Sequence, residues 1–176
     1  MRPEPWEVLS RRVLVDDAWI HLRADDCRTT DGRSIAPYYV LEYGDWVSVL
    51  ALDEDGRAIV VDEYRHGAGV IALGTIGGGV AVGEDPDHAA ARELREETGY
   101  VAGELIDLGA TWANFGTHTN RVHHFLARGC RHLGDPSPDE TETIEVTVLP
   151  LETLGEHLRQ SYHLLTWYKA REHLRG

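Results

Sequence analysis

Polar and apolar positions alternate, or β-branched residues cluster, through most of the first half of the chain. Trp6 to Val15, Trp19 to Thr29 and Ile35 to Glu42 each read as a strand, with Asp31-Gly32 as a hairpin turn. Trp46 to Leu52 and Ala58 to Tyr64 flank Asp53-Glu54-Asp55-Gly56, which supplies a second hairpin. The period then changes from two to that of a helix. Asp85 suits an N-cap, Pro86 the first helical position and Asp87 the first turn. Ala89, Ala90, Ala91 and Leu94 are strong helix formers, and Gly99 supplies the left-handed residue that ends many helices. The pattern predicts a helix from Pro86 to Thr98. Glu104 to Ala113, Arg121 to Ala127 and Thr143 to Leu149 read as further strands, and Gly129 to Glu142, rich in Gly, Pro, Asp and Ser, as a loop near the site. Leu151 to Arg159, after Pro150, and Leu164 to His173 read as closing helices. Mixed strands with a few helices and no internal repeat give an α/β (α+β) class.

On the central helix, Ala90, Ala91 and Leu94 form the apolar side that packs on a sheet. Glu93, Glu96 and Glu97 stand at i, i+3 and i+4, so their carboxylates share one face. Like charges so spaced cost about 0.2–0.5 kcal/mol per pair. A hard cation with a preference for oxygen ligands, Mg²⁺ or Mn²⁺, turns that repulsion into coordination. Arg92 and Arg95 can each orient a carboxylate by a helix-spaced ion pair. A solvated acidic helix laced with Arg–Glu pairs is the alternative for such a run. What decides against it is register: Gly78, five residues, Glu84, seven residues, then Arg92-Glu93-Leu94-Arg95-Glu96-Glu97-Thr98-Gly99-Tyr100. Seven residue types at these spacings arise by chance at a given start less often than roughly one time in a million.

This stretch resembles the signature of the Nudix hydrolases. The resemblance implies an α/β/α sandwich with a mixed central sheet and an extra N-terminal antiparallel sheet. More weakly, the N-terminal strands, Asp45-Trp46-Val47 and Glu63-Tyr64-Arg65-His66 resemble the branch that cleaves ADP-ribose and other nucleoside diphosphate sugars. The implied organisation is one domain over 1–176: a β-rich part, 1–43, that dimerises, and a core with C-terminal helices, 44–176. The implied reaction is metal-dependent hydrolysis of the phosphoanhydride in a nucleoside diphosphate linked to another moiety, releasing a nucleoside monophosphate and a phosphorylated product. A non-catalytic sensor of nucleotide metabolites on the same fold is the alternative, although loss of the box carboxylates marks that fate and here all are present.

The same resemblance assigns roles. Glu96 and Glu97 are metal ligands, Glu93 a ligand or the base, Arg92 the orienting cation, and the Gly77 carbonyl completes the coordination sphere. Glu84 supports the loop or a second metal. Arg65, whose guanidinium fork suits phosphate oxygens, contacts substrate with Trp46, Gly78 and Glu142. Trp46, Trp112 and Phe115 are aromatic rings that could stack on a base, with a place in the core or at a dimer contact as the favoured reading of each. Two departures from the branch stand out. Gly74-Thr75-Ile76-Gly77-Gly78 replaces its usual Glu-Leu-Pro-Ala-Gly, and Asn120 replaces a Glu ahead of Arg121. An amide takes no proton at useful pKa, so the base must come from Glu93 or from Glu140 or Glu142 in the acidic loop.

Composition narrows the setting. A chain of 176 residues with 42% hydrophobic content can bury a core. No apolar run approaches a membrane span, and MRPEPWEV lacks an apolar signal region, so a cytoplasmic protein is expected. A formal charge of −13 argues against nucleic acid and anionic membranes, which want basic surfaces; a small nucleotide derivative and a second copy of the chain are the partners that the resemblance implies. Cys27 and Cys130 lack zinc spacing and read as reduced structural thiols, and neither sits where isoprenoid diphosphate isomerisation would need it.

Overall fold

The computed structural model describes residues 2–138 and 143–176. In chain order the elements are β1 (Glu7–Asp16), β2 (His21–Arg28), β3 (Ser34–Glu42), β4 (Trp46–Asp53), β5 (Ala58–Arg65), β6 (Val70–Gly74), α1 (Pro86–Thr98), β7 (Tyr100–Val101), β8 (Glu104–Trp112), β9 (Arg121–His132), β10 (Ile144–Leu149), α2 (Leu151–Leu154) and α3 (Ser161–Arg175). They fall into two compact units.

The first unit comprises Met1–Gly44 and Trp112–Arg121. Its antiparallel sheet has the order β1-β2-β3. The segment after β8 joins it through Leu41, whose N–H donates to the Thr117 carbonyl at 2.8 Å and whose carbonyl accepts from Thr119 at 3.1 Å. Every residue of β1 is exposed, Val8, Leu9, Val13, Leu14 and Val15 among them. An edge strand with apolar side chains open on both faces is a surface built for pairing.

The second unit holds the mixed sheet, in the order β10-β5-β4-β9-β7, with β6 on β5 and β8 on β9. The β4–β9 pair is parallel and the β4–β5 pair antiparallel. Strand alternation sorts the buried residues onto two faces. Val47, Val49 and Ala51 of β4, with Ile59, Val61, Phe125 and Ala127, pack under Ala89, Ala90 and Leu94 of α1. Leu50 and Leu52, with Ala58, Val60 and Leu126, pack under Leu154, Leu158, Trp167 and Ala170. The result is a sheet between helical layers, the α/β/α sandwich expected.

Several boundaries depart from the sequence pattern. That pattern leaves the stretch after Tyr64 unassigned, yet Val70–Gly74 pairs with the second half of β5. Strand β9 continues through Gly129, at φ 59°, to His132, so the loop expected from Gly129 starts later. Asp139 to Glu142, and with them Glu140 and Glu142, lie outside the described residues. The helix expected over Leu151 to Arg159 stops at Leu154, where the hydrogen bonds tighten to i−3 turns from Glu156 to Thr153 and from His157 to Leu154. A Cβ on Gly155 would sit 2.4 Å from the Trp167 indole. Asp85 occupies the N-cap with extended backbone but makes no side-chain cap bond, whereas Gly99 closes α1 at φ 72° and donates to the Arg95 carbonyl. Among the described residues, no helix is long and apolar enough to cross a membrane.

Gly155 has φ −59° and ψ −23°, a conformation in which alanine would by itself stabilise the fold by about 0.4–1 kcal/mol. Overpacking against Trp167 reverses the sign. Gly155→Ala should lower stability by about 1–3 kcal/mol in urea unfolding. A neutral or stabilising result would show that Trp167 does not fix this turn.

Candidate functional site

Helix α1 sits on β4 through Ala89, Ala90 and Leu94, all fully buried, and this fixes which way its glutamates turn. The facing segment, Ile76 to Val80, runs antiparallel along β4. Val49 N–H donates to the Ile76 carbonyl at 2.8 Å, Val47 N–H to Gly78 at 2.9 Å, and Val80 N–H to Asp45 at 2.8 Å. The Gly77 carbonyl lies between two carbonyls spent on β4 and is left out of that ladder. Space constrains both neighbouring glycines, through backbone at Gly77 and through a carboxylate at Gly78. A Cβ on Gly77 would sit 2.2 Å from the Val47 carbonyl oxygen, and one on Gly78 2.3 Å from Glu93 Oε1.

Arg92 organises the charge. Its Nε donates to Glu84 Oε1 at 3.0 Å and its Nη2 to Glu84 Oε2 at 3.1 Å, a bidentate fork. Nη2 also reaches the Gly79 carbonyl at 3.0 Å. Nη1 lies 2.8 Å from Glu93 Oε1 and 3.0 Å from Glu96 Oε2, so two carboxylates one helical turn apart converge on a single cationic nitrogen. Glu84 in turn accepts from the Ala81 N–H at 2.9 Å and so closes the loop before α1. The Arg92 fork, followed by the Ala81 amide, lowers the Glu84 pKa to about 2. The Arg92 pKa is raised, first by Glu84 and then by Glu93 and Glu96.

Glu97 is the buried member of the set, 5% exposed, and its Oε1 accepts from the Gly77 N–H at 3.4 Å. Glu93 and Glu96 thus meet at Arg92, while Glu97 turns to the glycine segment. Among the described residues, the group of three His, Asp and Glu side chains whose ligand atoms all lie within 4.8 Å of one another is instead Asp85, Asp87 and His88, all exposed around the start of α1. Exposed acidic groups gather in this way without an ion. The box offers only oxygen donors, two of its carboxylates already share a cation, and the Gly77 carbonyl is adjacent; that set suits a hard divalent ion.

The other expected contacts are dispersed. Trp46, 39% exposed, bridges Gly79 at the start of β4 and so stands beside the glycine segment. Arg65 ends β5 with its guanidinium 2.8 Å from Glu63. Trp112 and Phe115 belong to the first unit, where with His118 and Thr119 they line a cavity of about 250 Å³ and Arg121 stacks 4.9 Å above the Trp112 ring. Asn120, in the same unit, is buried, and among the described residues its Oδ1 accepts no hydrogen bond. A groove of about 550 Å³ runs beside Arg92, Arg95, Glu96 and Ser137. A crevice of about 900 Å³ is lined by Leu52, Glu104, Arg128 and Leu151 among others, and none of the box carboxylates lines it. Sequence reasoning missed the Gly79 carbonyl beneath Arg92 and the contact of His163 with Thr75, because neither has a signal in spacing.

Comparison with known proteins follows the same division. The family description "NUDIX domain" matches residues 42–168, and "Nucleoside diphosphate sugar hydrolase N-terminal domain" matches residues 6–41. The chain is 31% identical over 147 residues to an ADP-ribose pyrophosphatase of Bacillus subtilis, covering 83% of this chain and 79% of that one. It is 34% identical over 146 residues to an ADP-ribose pyrophosphatase of Mycobacterium tuberculosis, covering 81% and 69%. A solved structure described as an ADP compounds hydrolase superposes with a TM-score of 0.88 at 20% identity, over 100% of this chain and 97% of that one, a likeness of fold.

The Arg92–Glu84 fork makes a titration prediction. A depressed carboxyl pKa contributes stability in full above the ordinary value of 4.5 and loses it as pH falls through about 2. In Arg92→Ala the Glu84 carboxyl, followed by NMR, should titrate well above the native midpoint, with the Ala81 amide still holding it below 4.5. An unchanged midpoint would mean that the fork does not form in solution.

Proposed function

The chain belongs to the Nudix family, and on that premise we propose that it hydrolyses the phosphoanhydride of ADP-ribose or a related nucleoside diphosphate derivative, releasing a nucleoside monophosphate and a phosphorylated product. It is a pyrophosphohydrolase. The observation that carries the reading is the convergence of Glu93 and Glu96 on one nitrogen of Arg92, with Glu97 against Gly77, on a helix whose other face is locked in the core. The relatives named ADP-ribose pyrophosphatase support the substrate class.

Glu96, Glu97 and the Gly77 carbonyl would hold a Mg²⁺ or Mn²⁺ ion, which when bound would supply charge neutralisation at the phosphate and a lowered pKa for water. Glu93 would be either a third ligand or the group that takes the proton from water, and Arg92 sets the direction of both Glu93 and Glu96. Gly78 lets the substrate and Glu93 approach the backbone closely, and Trp46 flanks that segment. Arg65 reaches phosphate by exchanging its bond to Glu63, a half-exposed pair whose net worth is roughly 0–1 kcal/mol. Glu142 is kept as a substrate contact on the resemblance alone.

A homodimer completes the reading, supported by the open apolar strand β1. Buried, free Cys27 and Cys130 suit a reducing cytoplasmic setting.

Glu97→Gln should reduce Mg²⁺-dependent turnover of ADP-ribose by at least about 10²-fold, because charge stabilisation and water activation are lost together. Unchanged turnover across ADP-ribose, nucleotide sugars, dinucleoside polyphosphates and NADH would remove Glu97 from the site. Light scattering should find native protein dimeric at micromolar concentration and Val13→Asp, which charges the centre of β1, shifted toward monomer. A native monomer would sink the dimer.

A further inference from the structure

A chain of buried polar side chains crosses the sheet on the α3 side of the second unit. Thr111 Oγ1 lies 2.9 Å from His124 Nε2, and His124 Nδ1 lies 2.7 Å from Thr166 Oγ1. Thr166 Oγ1 is 2.7 Å from Ser48 Oγ, and Ser48 Oγ is 2.8 Å from Thr75 Oγ1. Thr75 completes the chain at His163: its Oγ1 is 2.5 Å and its backbone N 3.2 Å from His163 Nδ1. Ser48, Thr75, His124, His163 and Thr166 are all at least nineteen parts in twenty buried. The Thr166 hydroxyl donates to the Tyr162 carbonyl at 2.8 Å, so His124 must donate from Nδ1 and accept the Thr111 proton at Nε2. Because the Thr75 N–H is a donor, His163 Nδ1 is an acceptor, so the Thr75 hydroxyl turns its proton to Nδ1 and the single Ser48 proton serves both Thr75 and Thr166. Burial, with Arg65 nearby, holds the His163 pKa down at about 3 and keeps the ring neutral.

This network ends beneath the glycine segment of the site. His163 also packs on Gly74, where a Cβ would lie 3.0 Å from Nε2, so the ring fills the space beside a residue with no side chain. Two residues beyond Thr75, Gly77 presses on β4 and donates to Glu97. Thr75 faces α3, and Ile76, packed in the other core, faces α1. A restraint on Thr75 therefore fixes the path of the backbone that meets Glu97 on the opposite face.

We propose that His163 is a positioning residue for the divalent-cation site: by accepting from the Thr75 backbone it holds the Thr75–Gly78 segment, and through Gly77 the Glu97 carboxylate, in the geometry that binds the ion. This rests on the reading that Glu97 and Gly77 bind metal. Groups that orient a ligand from behind typically alter metal affinity by about 10–100-fold when removed.

The test measures Mn²⁺ binding by EPR without substrate, alongside thermal unfolding. His163→Leu removes the acceptor and should weaken Mn²⁺ binding by about 10-fold, whereas His163→Asn, whose Oδ1 can stand in for Nδ1, should stay within about 3-fold of native. Leu158→Ala, in the same helical layer but outside the network, should lower the melting temperature and leave Mn²⁺ binding intact. If His163→Leu does not fold, Gly74→Ala, which pushes a methyl against the ring, should weaken Mn²⁺ binding in the same direction. Native-like Mn²⁺ affinity in His163→Leu, or in Gly74→Ala where that stands in, overturns the proposal, as does an equal loss in Leu158→Ala. Glu97→Gln separates the two readings: if it binds Mn²⁺ as native does, the metal reading fails first, and if it loses binding while His163→Leu does not, only the positioning role falls.

Discussion

One guanidinium holds the site together. Glu84, Glu93 and Glu96 would repel one another along a single surface, and Arg92 converts that repulsion into three ion pairs while fastening the loop through the Gly79 carbonyl. The loop, the helix face and the glycine segment are thus tied at one point. The arrangement depends on the core as much as on charge. Ala89, Ala90 and Leu94 leave α1 no freedom to rotate, so the carboxylates can face only the segment along β4.

The sheet contributes differently on its two faces. Toward α1 it is apolar and sets distance. Toward α3 it is apolar at Leu50, Leu52 and Leu126 but polar along Ser48, His124 and Thr166, whose side chains are hydrogen-bonded to one another. Matched polar groups in a dry interior specify one arrangement more sharply than hydrocarbon contacts do, because a slip would leave several of them without partners.

Much of this was legible in the chain. The alternation of β4 and β5 and the Pro86-to-Gly99 helix were readable because burial on a sheet and helix capping leave periodic marks. The box was readable because its charges sit at helical spacing. What escaped the pattern has no local signature. Strand β6 exists because β5 offers it a partner, and residue 155 is glycine because a tryptophan from another helix lies across it. Asp85 has the composition of a capping residue, yet its side chain caps nothing, while neighbouring Asp87 bonds the His88 N–H. The His163–Thr75 contact spans 88 positions, and no spacing rule reaches that far.

The pair Gly77 and Gly78 has a genetic corollary. At Gly77 every other amino acid begins with a carbon that the Val47 backbone carbonyl already excludes, whereas at Gly78 that carbon meets the end of the Glu93 side chain and would displace the carboxylate from Arg92. Gly79, with nothing near its missing carbon, has no such barrier. Adjacent codons for the same amino acid should therefore tolerate drift very unequally, and the freedom of the third says nothing about the first two.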